Sequence, residues 1–392
     1  MPPFLTPQPA PKLPSRISWM DLAAALALAL VLVLVAFNIY ANMATAGIQP
    51  GFSFLTQQAG FDLSESLIAY GASDSYLRAI TAGLLNTIAV AVASLAVACA
   101  VGLLVGLLSV SASRPARMLA HAYVEVFRNL PKILVLLVIF VAAVNGLPAI
   151  RQAITLGPLT ISNRAIYFPW LAEDPRNSRW LIACLVAVPA ACALWMGHVS
   201  RRQARDGVRG TVIPMLLAFS VIIPTGLAVV LGAPLGLSTP SLEGFSINGG
   251  AAFSIQFCTV AVALGLYHGA QIAEVLRGGI EAVPIGQIEA AAALGLKRGR
   301  ITRLVVLPQV MRTVIPPLNN QFVNLLKNTS ISIAVGYSDL MSVAGTTINQ
   351  TFRPLETMLM TMSIYLVLCL LLAGALNHWS ARIRAREGRA AR

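Results

Sequence analysis

Gly286-Gln287-Ile288-Glu289-Ala290-Ala291-Ala292-Ala293-Leu294-Gly295, then a basic segment holding Lys297, Arg298, Arg300 and Arg303, then Val305-Val306-Leu307-Pro308: this polar stretch lies between two strongly apolar segments. Glu289 to Leu294 is nearly all strong helix former, the Glu289 carboxylate lies toward the positive N-terminal end of that helix, and Gly295 suits a C-terminal cap with positive φ. A second short helix is expected at about 300–306, stopped near Pro308. About 35 residues between adjacent apolar helices is far beyond the usual 2 to 8, and such length points to function. The run of small alanines would let a helix approach another surface closely. The basic second half would equally suit an amphipathic helix resting on anionic lipid, and periodicity alone leaves the two readings open.

Outward from this stretch the chain is apolar. Of 392 residues 57% are hydrophobic and 11% charged, against about a quarter charged in an average chain, so this is an all-α, polytopic membrane protein. The net charge of +13 does not indicate nucleic-acid binding, because the basic residues fall between apolar runs rather than on one segment of a soluble domain. All five cysteines (Cys99, Cys184, Cys192, Cys258, Cys369) lie inside apolar runs, which offers neither a disulfide framework nor metal-type spacing.

At about 20 residues per crossing, eight helices are expected, near 20–40, 79–110, 132–148, 180–199, 212–232, 252–276, 314–337 and 357–378. With the N-terminus inside, 21 of the 28 Lys and Arg fall in inner segments, six in outer segments, and Lys327 alone in a span. That asymmetry supports the orientation and the even number of crossings, with both termini cytoplasmic. Lys12 and Arg16 precede the first apolar run and Ala44-Thr45-Ala46 looks like a cleavage site, but Leu22 to Phe37 exceeds the apolar core of a signal peptide, so a retained helix is expected.

The expected organisation is a disordered cytoplasmic N-terminus (1–19), a first helix and outer loop (20–78), and the first part of a core (79–147). An inserted pair of helices (148–250) follows, then the second part of the core (251–380) with a polar loop at 281–312, and a basic cytoplasmic tail (381–392). No solenoid or inverted repeat is visible.

Soluble-enzyme signatures are absent: no GxxxxGK[ST], no HExxH, no GxSxG, and four histidines (His121, His198, His268, His378) too scattered for a metal site. Within the spans the costly residues are the informative ones. Lys327 falls mid-membrane, where a charge needs a partner or water. Asn320, Asn324, Lys327 and Asn328 share one helical face, as do Tyr267, Gln271 and Glu274. An ammonium and amides lining a cavity would hold an amino acid; the competing reading is that they bond neighbouring helices or a partner subunit. Arg128 and Asn129 read as loop anchors. An ion- or proton-coupled secondary transporter is the alternative class, and it predicts carboxylates in mid-span, whereas every Asp and Glu falls in a loop or near a span end. A structural or signalling membrane subunit is a third.

The order Glu289-Ala290-Ala291, three residues, Gly295, nine residues, Val305-x-Leu307-Pro308 resembles the EAA loop of ABC importer permeases, with Val where Ile is usual. Glu125-Val126-Phe127-Arg128-Asn129-Leu130-Pro131, Ala273 to Ile280 with Pro284 and Gly286-Gln287, and Pro316-Pro317-Leu318-Asn319-Asn320-Gln321-Phe322 running on to Ser330 are similar to the polar amino acid permeases, over roughly 79–147 and 250–380. The eight-helix layout with an inserted pair looks like the general L-amino-acid permease subunit.

The resemblance implies a type I importer core in a bacterial inner membrane, without catalytic residues or cofactors of its own. It implies a coupling contact made by Glu289, Ala290, Ala291, Gly295, Leu307 and Pro308 with two cytoplasmic ATPase subunits, which would bind the ATP and Mg. It also implies a second permease, more readily a related chain than a copy, and a periplasmic amino-acid-binding protein. A substrate path would then run past Tyr267, Gln271, Asn320, Asn324, Lys327 and Asn328.

Overall fold

The computed structural model describes residues 19–45, 51–171, 237–243 and 246–390. Its helices are α1 (Trp19–Thr45), α2 (Tyr76–Ser109), α3 (Arg114–Asn129), α4 (Lys132–Gly146), α5 (Ile255–Glu281), α6 (Ile285–Ala293), α7 (Arg298–Ile301), α8 (Leu307–Asn328), α9 (Leu340–Thr351) and α10 (Pro354–Ala390). Among the described residues α2, α5 and residues 354–378 of α10 are long and apolar enough to cross a membrane. Two bent pairs, α3 with α4 (107°) and the helix from Arg298 with α9 (54°), raise the count to five. The protein is thus a helical membrane bundle, and eight crossings go beyond what these helices establish. Helices stand where 20–40, 79–110, 132–148, 252–276, 314–337 and 357–378 were expected, whereas 180–199 and 212–232, like the segment 1–18, lie outside the described residues.

The spine of the bundle is the α2–α5 pair, which approaches closely because each helix carries two glycines four residues apart. On α2 a Cβ at Gly102 would stand 2.5 Å from Ile272 Cγ2, and one at Gly106 3.0 Å from Leu276 Cβ. On α5 a Cβ at Gly265 would collide with Val97, and one at Gly269 would stand 3.0 Å from Val101 Cγ1. The β-branched or bulky side chains of each helix therefore sit over the glycines of the other, the small-xxx-small arrangement that maximises van der Waals packing where lipid removes the hydrophobic drive. Around this pair Val90, Val135, Leu136, Val260, Leu264 and Tyr337 form a buried cluster joining α2, α4, α5 and the chain after α8. Leu103, Leu104, Leu107, Leu366, Leu370 and Leu371 remain exposed, as expected of a lipid-facing surface.

At the end where the outer loops were expected, the loops are folded. Residues 51–75 lie over α2, α9 and α10, with Phe54, Tyr76, Ala79, Ile80, Leu340 and Val343 buried together. The segment is tied down by Arg353 Nη1 to Gly51 O (2.8 Å) and by Asn86 Nδ2 to both Glu65 O and Ser338 O (2.8 Å each). The flanks of 148–250, expected as loops, instead form short strands. β1 (Ile154–Leu156), β2 (Leu159–Ile161) and β3 (Ala165–Phe168) pair antiparallel, and β3 pairs with the last strand, Ala251–Ser254. A two-residue Gly157-Pro158 turn joins β1 to β2, with Gly157 at φ 61°, and this turn was the overlooked sign of a hairpin.

Ser254 then caps α5, its Oγ accepting from Phe257 N (3.0 Å), while its own N–H donates to Glu65 Oε2 (3.1 Å). Burial raises the Glu65 carboxyl above its ordinary value of 4.5, against the pull of the Ser254 hydrogen bonds. An acid raised in this way contributes stability that is full below 4.5 and is lost as pH rises through the folded value. Glu65→Gln is therefore expected to melt on the order of 1–2 °C above the parent at pH 8. The gap should close by pH 4, as thermal unfolding of the purified protein in detergent will show.

Candidate functional site

The stretch from Gly286 to Pro308 folds as one compact unit. α6 begins at Ile285, a turn earlier than expected, after Pro284 in extended conformation. Glu289 is therefore its fifth residue, beyond the first turn in which the helix dipole acts, and the expected dipole contribution is withdrawn. The helix ends as expected, on Gly295 at φ 75°. Gly295 N donates to Ala292 O (2.9 Å) and Leu296 N to Ala291 O (3.3 Å), the paired bonds of a Schellman cap that satisfies two terminal carbonyls. Ala291 faces inward while Glu289 and Ala290 are exposed, and Ile285 and Leu294 are 72% and 82% exposed. Leu304 and Leu307 add to this apolar surface, and Pro308 is half-buried.

Pro308 does not stop the second helix. α7, a π-helical turn (Thr302–Val306) and α8 run on without interruption, with Pro308 in the first turn of α8. Proline removes one N–H and crowds the carbonyl four residues back; the i→i+5 spacing of a π turn moves the hydrogen bonding away from that carbonyl. The unit is fastened to the bundle by Gln309 Nε2 to Gln287 Oε1 (2.5 Å) and by Gly279 of α5, whose missing side chain leaves room for Val314.

A second polar constellation lies deeper. Its centre is Asn328, the last residue of α8, before a 3-10 turn at Thr329–Val335. Lys132 Nζ donates to Asn328 Oδ1 (2.8 Å) and stands 5.5 Å over the Tyr267 ring. Because Oδ1 is accepting, the Asn328 amide nitrogen faces His268 Nε2 at 3.1 Å, which assigns the ring proton to Nδ1. His268 is only 2% exposed, and its Nδ1 has no hydrogen-bond partner among the described residues.

Of the six residues expected along a substrate path, the fold brings Tyr267 and Asn328 together and sets Gln271 one turn further along α5. Asn320, Asn324 and Lys327 are exposed along the outside of α8, whereas Asn328, expected on the same face, turns inward to Lys132 and His268. Two members of the constellation were missed. Lys132 is one of the 21 inner charges, and His268 is one of the four histidines too scattered for a metal site. A lysine directly after a proline that starts an apolar helix was the available signal for the first; His268 carried none.

Glu274 accepts from Arg277 Nε (3.0 Å) and Nη2 (2.7 Å), and lies 3.9 Å from Arg128 Nη1. Asn129 Nδ2 donates back to Glu125 O (2.8 Å). Arg128 thus faces α5 from the end of α3, while Asn129 bonds back within the last turn of α3.

The family described as "Binding-protein-dependent transport system inner membrane component" matches residues 98–385. The chain is 37% identical to the General L-amino acid transport system permease protein AapQ of Rhizobium johnstonii, over 90% of this chain and 88% of that protein. It is 34% identical to the Glutamate/glutamine/aspartate/asparagine transport system permease protein BztB of Rhodobacter capsulatus, over 89% of each. Among solved structures it is similar to one described as "Crystal structure of an amino acid ABC transporter with histidines", at 20% identity and a TM-score of 0.46 over 78% of this chain and 95% of that one.

Proposed function

The chain belongs to the family of binding-protein-dependent transport system inner membrane components, and on that premise we propose that it works as the permease of an ATP-driven importer for L-amino acids. It is an inner-membrane, multi-pass subunit. The single observation that carries the mechanism is the exposed unit 285–308. α6 offers Glu289, Ala290 and Leu294 outward on a helix whose geometry is fixed by the Gly295 cap, while the chain holds no phosphate loop of its own. A cytoplasmic ATPase docking on Glu289, Ala290, Leu307 and Pro308, with Gly295 fixing the end of the helix and Ala291 packed beneath it, would supply the energy.

In this reading two ATPase subunits, which bind the ATP and Mg, close and displace the unit, and a type I core of about eight crossings with cytoplasmic termini switches between outward- and inward-facing forms. One chain builds half a pathway, and a second, related permease completes it. A periplasmic binding protein delivers substrate to the folded outer loops. The names of the two relatives, one general and one for acidic and amide amino acids, support a polar or broad range of L-amino acids.

The test is uptake of a labelled amino acid into vesicles holding the full assembly. Accumulation is expected to require internal ATP and binding protein and to survive an ionophore. Uptake that runs without ATP and collapses with the ion gradient would favour a secondary transporter.

A further inference from the structure

His268 stands 13 residues from either end of α5, hence about 20 Å from each end at 1.5 Å per residue. Lys132, hydrogen-bonded to the Asn328 that touches His268, lies at the same depth, well inside the bundle rather than at its inner edge. A charge at that depth requires a counter-charge or water. Among the described residues no Asp or Glu forms an ion pair with it, and the nearby Glu274 is occupied by Arg277 and Arg128. Asn328 and the Tyr267 face orient the ammonium but neutralise none of its charge.

The backbone around Lys132 is equally unusual for that depth. α3 and α4 break at 107° across Leu130-Pro131, and α8 gives way to a 3-10 turn directly opposite. Irregular backbone inside a membrane occurs where protein buries it or where it lines a watery cavity. Here Leu130, Pro131 and Ile133 are exposed on this chain, so the break opens outward from the subunit. Lys132 is also the first residue of the 15-residue α4, so its ammonium adds to the positive pole of that helix.

We propose that Lys132 is the counter-ion for the carboxylate of the amino acid in transit, held in place by Asn328 and the Tyr267 ring. This rests on the importer reading above. The amino acid supplies the negative charge that the chain omits, and the open side of the break is where the second permease would complete the passage. Lys132, rather than the exposed Lys327, is then the cation that meets substrate.

The test uses the full assembly in proteoliposomes, with labelled glutamine and glutamate as probes and ATP hydrolysis measured alongside. Lys132→Gln keeps a hydrogen-bond donor for Asn328 but loses the charge. It is expected to lower the number of molecules moved per ATP at least tenfold while stimulation of hydrolysis by loaded binding protein persists. Lys132→Arg, which keeps the charge, should stay within threefold of the parent. The assignment is overturned if Lys132→Gln moves substrate as efficiently as the parent, or if Lys132→Arg fails as badly as Lys132→Gln. Loss of the second permease on purification of Lys132→Gln would also overturn it, in favour of a subunit contact. Absence of ATP-dependent uptake by the unmodified assembly would instead remove the importer reading, and this assignment with it.

Discussion

Gly102→Leu is expected to remove folded protein from the membrane. Even the first carbon of the new side chain would stand 2.5 and 2.6 Å from Ile272 Cγ2 and Cβ, and 3.1 Å from the Gly269 carbonyl. A Cβ and a backbone oxygen cannot rotate aside, so relief requires the two helices to separate along their shared seam. Overpacking by a methylene or two already costs about 1–3 kcal/mol, and a native fold holds only about 5–15 kcal/mol in reserve. An isobutyl group at this close contact of the spine should lower the monodisperse fraction in size-exclusion chromatography more than tenfold. Gly374→Leu on α10, where no atom lies within 4 Å of an added Cβ, should behave as the parent. Equal loss from both variants would show that the seam is not special.

Gly295→Val should have the opposite profile: protein present, transport gone. No atom lies within 4 Å of a Cβ at Gly295, so the effect is conformational rather than a clash. At φ 75° an L-residue is strained by about 1–2 kcal/mol, and a β-branched one by more. The cheaper course is to leave the left-handed region, which breaks the bonds to Ala291 and Ala292 and re-aims Leu294 and the end of α6. Uptake and binding-protein-stimulated ATP hydrolysis are expected to fall more than tenfold with the membrane-embedded amount unchanged. Gly295→Asn should be milder, since asparagine tolerates that conformation. Normal coupling in Gly295→Val would sink the docking role of this unit.

These two positions also mark how far the sequence could be read. Gly295 was legible because one local rule, glycine after a run of helix formers, fixes both its conformation and the end of α6. The apolar runs announced α2, α5 and α10 for the same reason, since length and hydropathy are local properties. Gly102, Gly106, Gly265 and Gly269 were visible as spacings, but which helices they join depends on pairing that one chain segment does not encode. Pro308 misled because its effect depends on the π turn before it. Lys132 was misread because charge counting assigns a residue to a loop by its sequence neighbours, whereas the 107° corner at Pro131 carries it inward. The hairpin at Gly157 carried a turn signal that the surrounding loop composition obscured.

The unbroken passage from α7 through the π turn into α8 joins the two constellations mechanically. From Arg298 to Asn328 the chain is one continuous helical run that carries Pro316 and Pro317 inside it, about 46 Å long at 1.5 Å per residue, with the Glu289 unit at its foot and Asn328 with Lys132 at its head. Moving as one body, this run would swing its head by roughly 8 Å for a tilt of about 10° at its foot. Such a lever would part Asn328 from Lys132 in one stroke, so that the ammonium's grip on its anion would be set by the angle of the run.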